Sequence, residues 1–242
     1  MAYTIAHVTD IHIHEMEEIG LSVKPERQWQ IILDDLKARG IDEFIFGGDI
    51  GAASALPWFF ASISPFQVHL VLGNHDRFST VKPFLPTQQG VLTGTLDYSY
   101  HSRGYHWIFM DSSLGYLNEA QVNWLGEELD SPDPVILTVH HPIFPVDTEQ
   151  DRRFPLKNRE PLQVLLKQAA KPVTLLCGHY HCASDTISGQ IRQLLTPAAS
   201  YQIEHHPSEI KINENGFYYR LLTLEDSGLH TELIWKESPD MN

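Results

Sequence analysis

The sequence predicts an α/β protein in which two β-sheets pack as a sandwich flanked by helices, with residues 1–242 forming a single domain. Three patterns predict it. Short apolar runs alternate with segments of helical periodicity, as expected of parallel strands joined by crossover helices. A strand-turn-strand pattern from Val91 to Asp111 interrupts that alternation, and a strand-rich stretch runs from Ala183 to Trp235. These last two do not fit a single doubly wound sheet. The segment at about 183–236 is therefore expected to complete a second sheet.

In chain order, the runs Tyr3–Val8, Glu43–Phe46, Gln67–Leu72, Val135–Val139 and Val173–Cys177 read as buried strands. Helical patterns fall between them at Glu26–Arg39, Ala55–Ile63, Glu119–Leu129 and Glu160–Ala170. Asn118 precedes one helix as a start signal, and Gly40 and Pro172 stand near helix ends as stop signals. Long loops are expected at His14–Lys24 and Pro142–Arg159. Segments of that length inside a compact domain are usually functional, and both follow motifs that carry chemistry.

Composition sets outer limits. The hydrophobic content of 42% and charged content of 20% are ordinary for a globular chain. No basic-then-apolar leader and no run near the length of a spanning helix is read, so the expectation is a cytoplasmic protein without a membrane partner. The formal net charge of −14 argues against nucleic acid as a partner, because that affinity comes from neutralising many phosphates with a basic surface. Cys177 and Cys182 bracket one motif too closely for a useful bridge, which fits a reduced compartment.

Five short motifs stand at the ends of predicted strands: Asp10-Ile-His12, Gly-Gly-Asp49, Gly73-Asn74-His75-Asp76, His140-His141-Pro142 and Gly178-His179-Tyr180-His181. The carboxyl rim of an α/β sheet is where loops converge to build ligand sites. Asp10 and His12 are two apart, as are His179 and His181, so an extended strand would put each pair on one face, able to share a cation. Asp49 follows two glycines that permit close approach, and its two oxygens can bridge two metals. Counting Asp49 twice, Asp10, His12, Asp49 and His181 surround one ion, and Asp49, Asn74, His140 and His179 the other. Mixed imidazole and oxygen donors suit manganese, iron or zinc. Two such ions about 3.5–4 Å apart clamp a phosphate and hold a hydroxide for in-line attack. His75 is read as the residue that protonates the leaving oxygen, with Asp76 orienting its ring. Between His140 and His141 either could coordinate. The first is favoured, leaving His141 to support it or face substrate.

This ordered set resembles the calcineurin-like metallophosphoesterase family, and the motifs span nearly the whole chain. The resemblance implies a four-layer α/β/β/α sandwich with a dinuclear metal site at the carboxyl ends of the strands. Within the family the chain is similar to bacterial class III cyclic nucleotide phosphodiesterases, through Leu195-Thr196-Pro197-Ala198, Ser200-Tyr201-Gln202, Tyr219-Arg220-Leu221-Leu222 and the turn Asp226-Ser227-Gly228. It departs from them at Arg77-Phe78 after Asp76 and at Ile143-Phe144 after Pro142. The resemblance implies hydrolysis of a small phosphodiester, 3′,5′-cyclic AMP to 5′-AMP, with Asn74, His75 and His181 also meeting the substrate. Alternatives are a glycerophosphodiesterase, a broad-specificity phosphodiesterase or phosphomonoesterase, and a non-catalytic scaffold of the same fold, although loss of function would be expected to erode the ligand motifs.

Other features have simpler readings. His7, His69, His101, His106, His230 and the pair His205-His206 are read as structural or exposed, and Glu15, Glu17 and Glu18 as a solvated acidic run. Arg152 and Arg153 lie in the loop after His140 and are candidates to meet a phosphate or nucleobase. The tryptophans fall in helix or strand patterns and read as core. Homo-oligomerisation is left open.

Overall fold

The computed structural model describes residues 2–85, 94–206 and 208–239. The start of the expected Val91–Asp111 meander, through residue 93, lies outside them. The strands are β1 Tyr3–Val8, β2 Glu43–Phe46, β3 Gln67–Leu70, β4 Tyr98–Ser102, β5 Tyr105–Met110, β6 Val135–Val139, β7 Val173–Cys177, β8 Ser184–Ser188, β9 Ile191–Leu195, β10 Gln202–Ile203, β11 Ile212–Asn213, β12 Gly216–Glu225 and β13 Gly228–Glu237. The helices are α1 Met16–Ile19, α2 Pro25–Ala38, α3 Leu56–Ile63, α4 Phe78–Val81, α5 Glu119–Glu128, α6 Glu149–Arg153 and α7 Arg159–Gln168.

These strands form two large sheets, ordered β13-β12-β1-β2-β3 and β4-β5-β6-β7-β9-β8, and β10 pairs with β11 as a separate ribbon. β1, β2 and β3 run parallel, as do β5, β6, β7 and β9. The antiparallel strands β12, β4 and β8 flank these parallel cores.

Side-chain alternation explains why both faces of the second sheet are covered. Trp107 and Phe109 of β5, Ile136 of β6 and Leu176 of β7 join the core shared with the first sheet. Ile108, Met110, Val135, Leu137, Val139, Leu175 and Cys177 point to the other side and pack against Leu125 of α5 and Leu162 and Leu166 of α7. All five residues of β6 are buried, which is why it reads as an unbroken apolar run. Over the first sheet, Trp29 of α2 meets Phe44, Phe46 and Phe59 with ring centroids 5.9, 5.8 and 5.5 Å away, clamping α2 and α3 to β2. The result is two sheets flanked by helices.

The structure differs from expectation in several places. Trp58 and Trp235, read with the other tryptophans as core, are exposed. The His14–Lys24 loop contains α1 and the Pro142–Arg159 loop contains α6, each too short to register as a period. The 183–236 segment does not complete the second sheet alone. β8 and β9 join the second sheet, whereas β12 and β13 extend the first. The crossover between them is tied beneath the first motif by Ala199 N–H donating to Thr9 O and Ser200 Oγ to Asp10 O, at 2.8 and 2.7 Å. Alternating apolarity marks a strand but does not name its partner.

Trp29 is fully buried and holds three elements together. Trp29→Ala is therefore expected to cost about 3–5 kcal/mol, visible as a lower denaturant midpoint in equilibrium unfolding. A midpoint equal to that of the unaltered protein would refute the role assigned to this clamp.

Candidate metal centre

The parallel strands of both sheets deliver their carboxyl ends to one region. The loop after β1 brings Asp10 and His12, that after β2 brings Asp49, and that after β3 brings Asn74, His75 and Asp76. The second sheet adds His140 and His141 after β6, and His179 and His181 after β7.

The backbone reaches this arrangement differently from the extended strand expected for the paired ligands. β1 stops at Val8, and Asp10, His12, Asp49, His179 and His181 all have positive φ, at 59°, 50°, 59°, 74° and 51°. Left-handed backbone is uncommon outside glycine, and its concentration at one site is strain held by the surroundings. Here the holding bonds are visible. Asp10 N–H donates to Gly48 O, the N–H groups of Ile11 and His12 both donate to Asp49 O, and Ile13 N–H donates to Ile50 O, all at 2.9–3.2 Å. The first two motif loops thus support each other. Extended spacing paired Asp10 with His12, which do fall in one group of candidate ligands, but it also paired His179 with His181, which fall in different groups.

Two glycines keep the carboxylates in place. A Cβ at Gly73 would collide with Asp49 Oδ1, and one at Gly178 with Asp10 Oδ2. Asp49 Oδ1 accepts from His75 N–H at 2.9 Å, while both oxygens of Asp10 accept from His179 N–H, at 3.2 and 3.1 Å.

Among the described residues the candidate ligand atoms fall into three groups, Asp10, His12 and His181 in one, Asp49, His140 and His179 in another and His12, Glu15 and His75 in a third, the atoms of each lying within 4.8 Å of one another. The first two contain the expected ligands. Asp49 Oδ2 stands between them, 3.6 Å from His12 Nε2 and 3.2 Å from His140 Nε2. His181 Nε2 lies 3.2 Å from Asp10 Oδ1 and 3.1 Å from His12 Nε2.

Each of the four imidazoles has one nitrogen on an acceptor. His140 Nδ1 meets Gly47 O at 2.8 Å, His181 Nδ1 meets Tyr201 O at 2.9 Å, His179 Nε2 meets Phe154 O at 2.9 Å, and His12 Nδ1 meets Glu15 Oε2 at 2.7 Å. A carbonyl only accepts, so the ring nitrogen facing it carries the proton and the other nitrogen is left to coordinate. His140 Nε2 is buried without a hydrogen-bond partner beside the Asp49 carboxylate. The donor set fits a pair of cations. His141 is oriented otherwise: its Nδ1 lies 2.8 Å from Ser112 Oγ, and its ring packs 4.2 Å from that of His179.

Above these groups opens a cavity of about 460 Å³. Asn74, His75 and His141 line it with His12, Asp49, His179 and His181. Arg153 and Lys157 reach its rim, beside Phe154, Pro155, Tyr201 and Ile203. Arg152 does not line the cavity and pairs with Asp147 at 2.7 Å. The loop after β6 thus supplies both a carbonyl to His179 and the cavity rim.

Asp76 does not orient His75 as the sequence suggested. Its carboxylate is buried and accepts from the N–H groups of Asp49, Ile50 and Gly73, at 2.8, 3.0 and 2.9 Å, which joins the second motif to the third. Burial, then the neighbouring Asp49 charge, push its pKa up to about 7. The carboxylate that meets the His75 ring is Glu15, whose Oε2 is 3.0 Å from His75 Nδ1. Sequence reasoning read Glu15 as solvated. Its position three residues after His12 was the available signal, but the left-handed turn that brings it back could not be read from spacing.

The chain belongs to the calcineurin-like phosphoesterase family, whose family model matches residues 3–183, and it is a metal-dependent phosphoesterase. It is 22% identical to a probable cyclic nucleotide phosphodiesterase of Fibrobacter succinogenes, covering 97% of this chain and 94% of the relative. It is 26% identical to the 3′,5′-cyclic adenosine monophosphate phosphodiesterase CpdA of Escherichia coli, covering 94% and 87%. Among solved structures, a dimetal phosphatase of Danio rerio superposes with a TM-score of 0.64 at 13% identity, covering 98% of this chain and 99% of that one. GAP50 of Plasmodium, described as an anchor in the inner membrane complex, superposes at 0.65 and 13%, covering 98% and 88%. The fold is therefore shared by proteins of different description. No helix among the described residues is long and apolar enough to cross a membrane. Both cysteines are free and buried.

Without cations, protons compensate the buried carboxylates. Burial by itself would lower the His140 and His12 imidazoles, but Asp49 and Asp10 hold His140 up at about 9, and Asp10 with Glu15 hold His12 at about 10. Both lie above the unfolded histidine value of about 6.5. Their stabilisation is complete below that value and is lost as pH rises through about 9 to 10. Cations that replace these protons remove the dependence. The expected outcome is that Tm of chelated protein falls between pH 6.5 and pH 10 more steeply than Tm of manganese-loaded protein; parallel profiles would refute this account. Gly73→Ala is expected to reduce bound manganese, measured by elemental analysis after gel filtration, because the added methyl displaces Asp49 Oδ1. Full manganese stoichiometry in the variant would count against that placement.

Proposed function

We propose that the protein is a phosphodiesterase that hydrolyses 3′,5′-cyclic AMP to 5′-AMP at a pair of cations. Four buried or half-buried imidazoles, each anchored on one nitrogen and free to coordinate with the other, carry this reading. One cation is held by Asp10, His12, Asp49 and His181, and the other by Asp49, Asn74, His140 and His179. Imidazole and oxygen donors suit manganese, iron or zinc. When bound, the ions supply Lewis acidity that activates water for in-line attack and offsets charge on the phosphate.

The chain's own groups do the remaining work. Asn74, His75 and His181 meet the substrate at the cavity floor. His75 donates a proton to the departing 3′ oxygen, which would otherwise leave as an unstable alkoxide. His141 faces the substrate. Its ring is held through Ser112 Oγ, which accepts from the His141 peptide N–H at 3.3 Å and lies 2.8 Å from Nδ1. Lys157 and Arg153, the latter also paired with Glu149 at 2.7 Å, line the cavity of an otherwise acidic protein. The phosphodiesterases among the relatives support a cyclic nucleotide as substrate.

The test is hydrolysis of cyclic AMP, a glycerophosphodiester, bis(p-nitrophenyl) phosphate and p-nitrophenyl phosphate by chelated protein reconstituted with manganese. Cyclic AMP is expected to be cleaved preferentially, the activity to vanish in Asp49→Ala, and His75→Ala to lower kcat by roughly 10²–10⁴-fold. Preferential cleavage of the glycerophosphodiester would keep the site and replace the substrate. No turnover with manganese, iron or zinc would leave a non-catalytic scaffold.

A further inference from the structure

The loops after β1 and β3 meet at one carboxylate oxygen. Glu15 Oε2 lies 2.7 Å from His12 Nδ1 and 3.0 Å from His75 Nδ1. The Glu15 side chain is only 15% exposed, and the two rings it joins stand edge to face with centroids 4.6 Å apart. The His75 backbone is tied to Asp49 Oδ1. The adjacent Asp76 carboxylate is committed to three peptide N–H groups. Glu15 is thus the acceptor that meets the His75 ring.

We propose that Glu15 is the positioning residue for His75: by accepting from Nδ1 it fixes the ring so that Nε2 faces the cavity as the proton donor. The proposal rests on the phosphodiesterase reading above. In the step concerned, the phosphorus–oxygen bond to the leaving group breaks as the His75 Nε2–H proton passes to that oxygen. Water supplies the new oxygen on phosphorus, one water proton is released, and the imidazole regains a proton from solvent. Glu15 touches neither the substrate nor the reacting atoms. It acts through the direction in which His75 points.

Leaving-group dependence separates this role from general support. A p-nitrophenolate departs without a proton, whereas the 3′ alkoxide of cyclic AMP needs one. The experiment compares Glu15→Gln, Glu15→Ala, His75→Ala and the Glu15→Ala/His75→Ala double variant with the unaltered manganese-loaded protein, on cyclic AMP and on bis(p-nitrophenyl) phosphate. Bound manganese is measured in each.

Glu15→Ala is expected to lower kcat on cyclic AMP by at least roughly tenfold more than on the aryl diester. Glu15→Gln, which keeps an acceptor oxygen, should fall between the unaltered protein and Glu15→Ala. In the His75→Ala background, removing Glu15 should cost little more, because the two residues act as a unit. Equal losses on both substrates, multiplying losses in the double variant, or losses that follow missing manganese would overturn the proposal. The last result would make Glu15 a support for His12 alone. If the unaltered protein cleaves only the aryl diester, the cyclic nucleotide reading fails and takes this proposal with it. That failure is recognised without any variant.

Discussion

The Asp49 carboxylate is the charge on which the site depends. It lies between an imidazole carried by the first sheet and one carried by the second, so the packing of the two sheets sets the separation of His12 and His140. Its other oxygen holds the peptide of His75, and its own peptide N–H is bound by Asp76. A buried carboxylate is costly unless paired and hydrogen-bonded. Asp49 meets that requirement with groups from three loops, so the need to compensate one charge also determines how those loops close.

Closure comes at the expense of backbone comfort. Five of the proposed ligands adopt left-handed conformations, none of them at glycine. Such conformations persist where surrounding bonds over-determine them. For Asp10, His12 and Asp49 those bonds are the backbone hydrogen bonds joining the first and second motifs and the Asp76 carboxylate joining the second to the third. Asp76 therefore belongs to the backbone of the site.

Much of this organisation was legible in the sequence. Apolar runs identified β1, β2, β3, β6 and β7, because strands buried on two faces leave little room for charge, whereas β5 and β9, which also run parallel, read only as parts of strand-rich stretches. The polar residues at their ends then stood out, and Asp10, His12, Asp49, His140, His179 and His181 converge in space. Less was legible where folding reverses direction. Glu15 reaches the site through a tight turn, and Asp76 faces peptide groups rather than its neighbour's ring. Neither relation has a period. The placement of β12 and β13 was hidden for a related reason: their alternation shows a hairpin, but the edge it joins depends on a crossover whose route is set by contacts with Thr9 and Asp10.

That crossover has a consequence for synthesis on the ribosome. β1 has β2 on one side and β12 on the other, with Tyr3 opposite Leu224 and His7 opposite Arg220. Until residues 216–225 have emerged, one edge of β1 lacks its partner. The first ligand loop also lacks the Ser200 hydroxyl beneath Asp10 until the same late stage. Such distant pairing slows folding. A nascent chain that has already made all five motifs therefore still lacks one partner of its first strand.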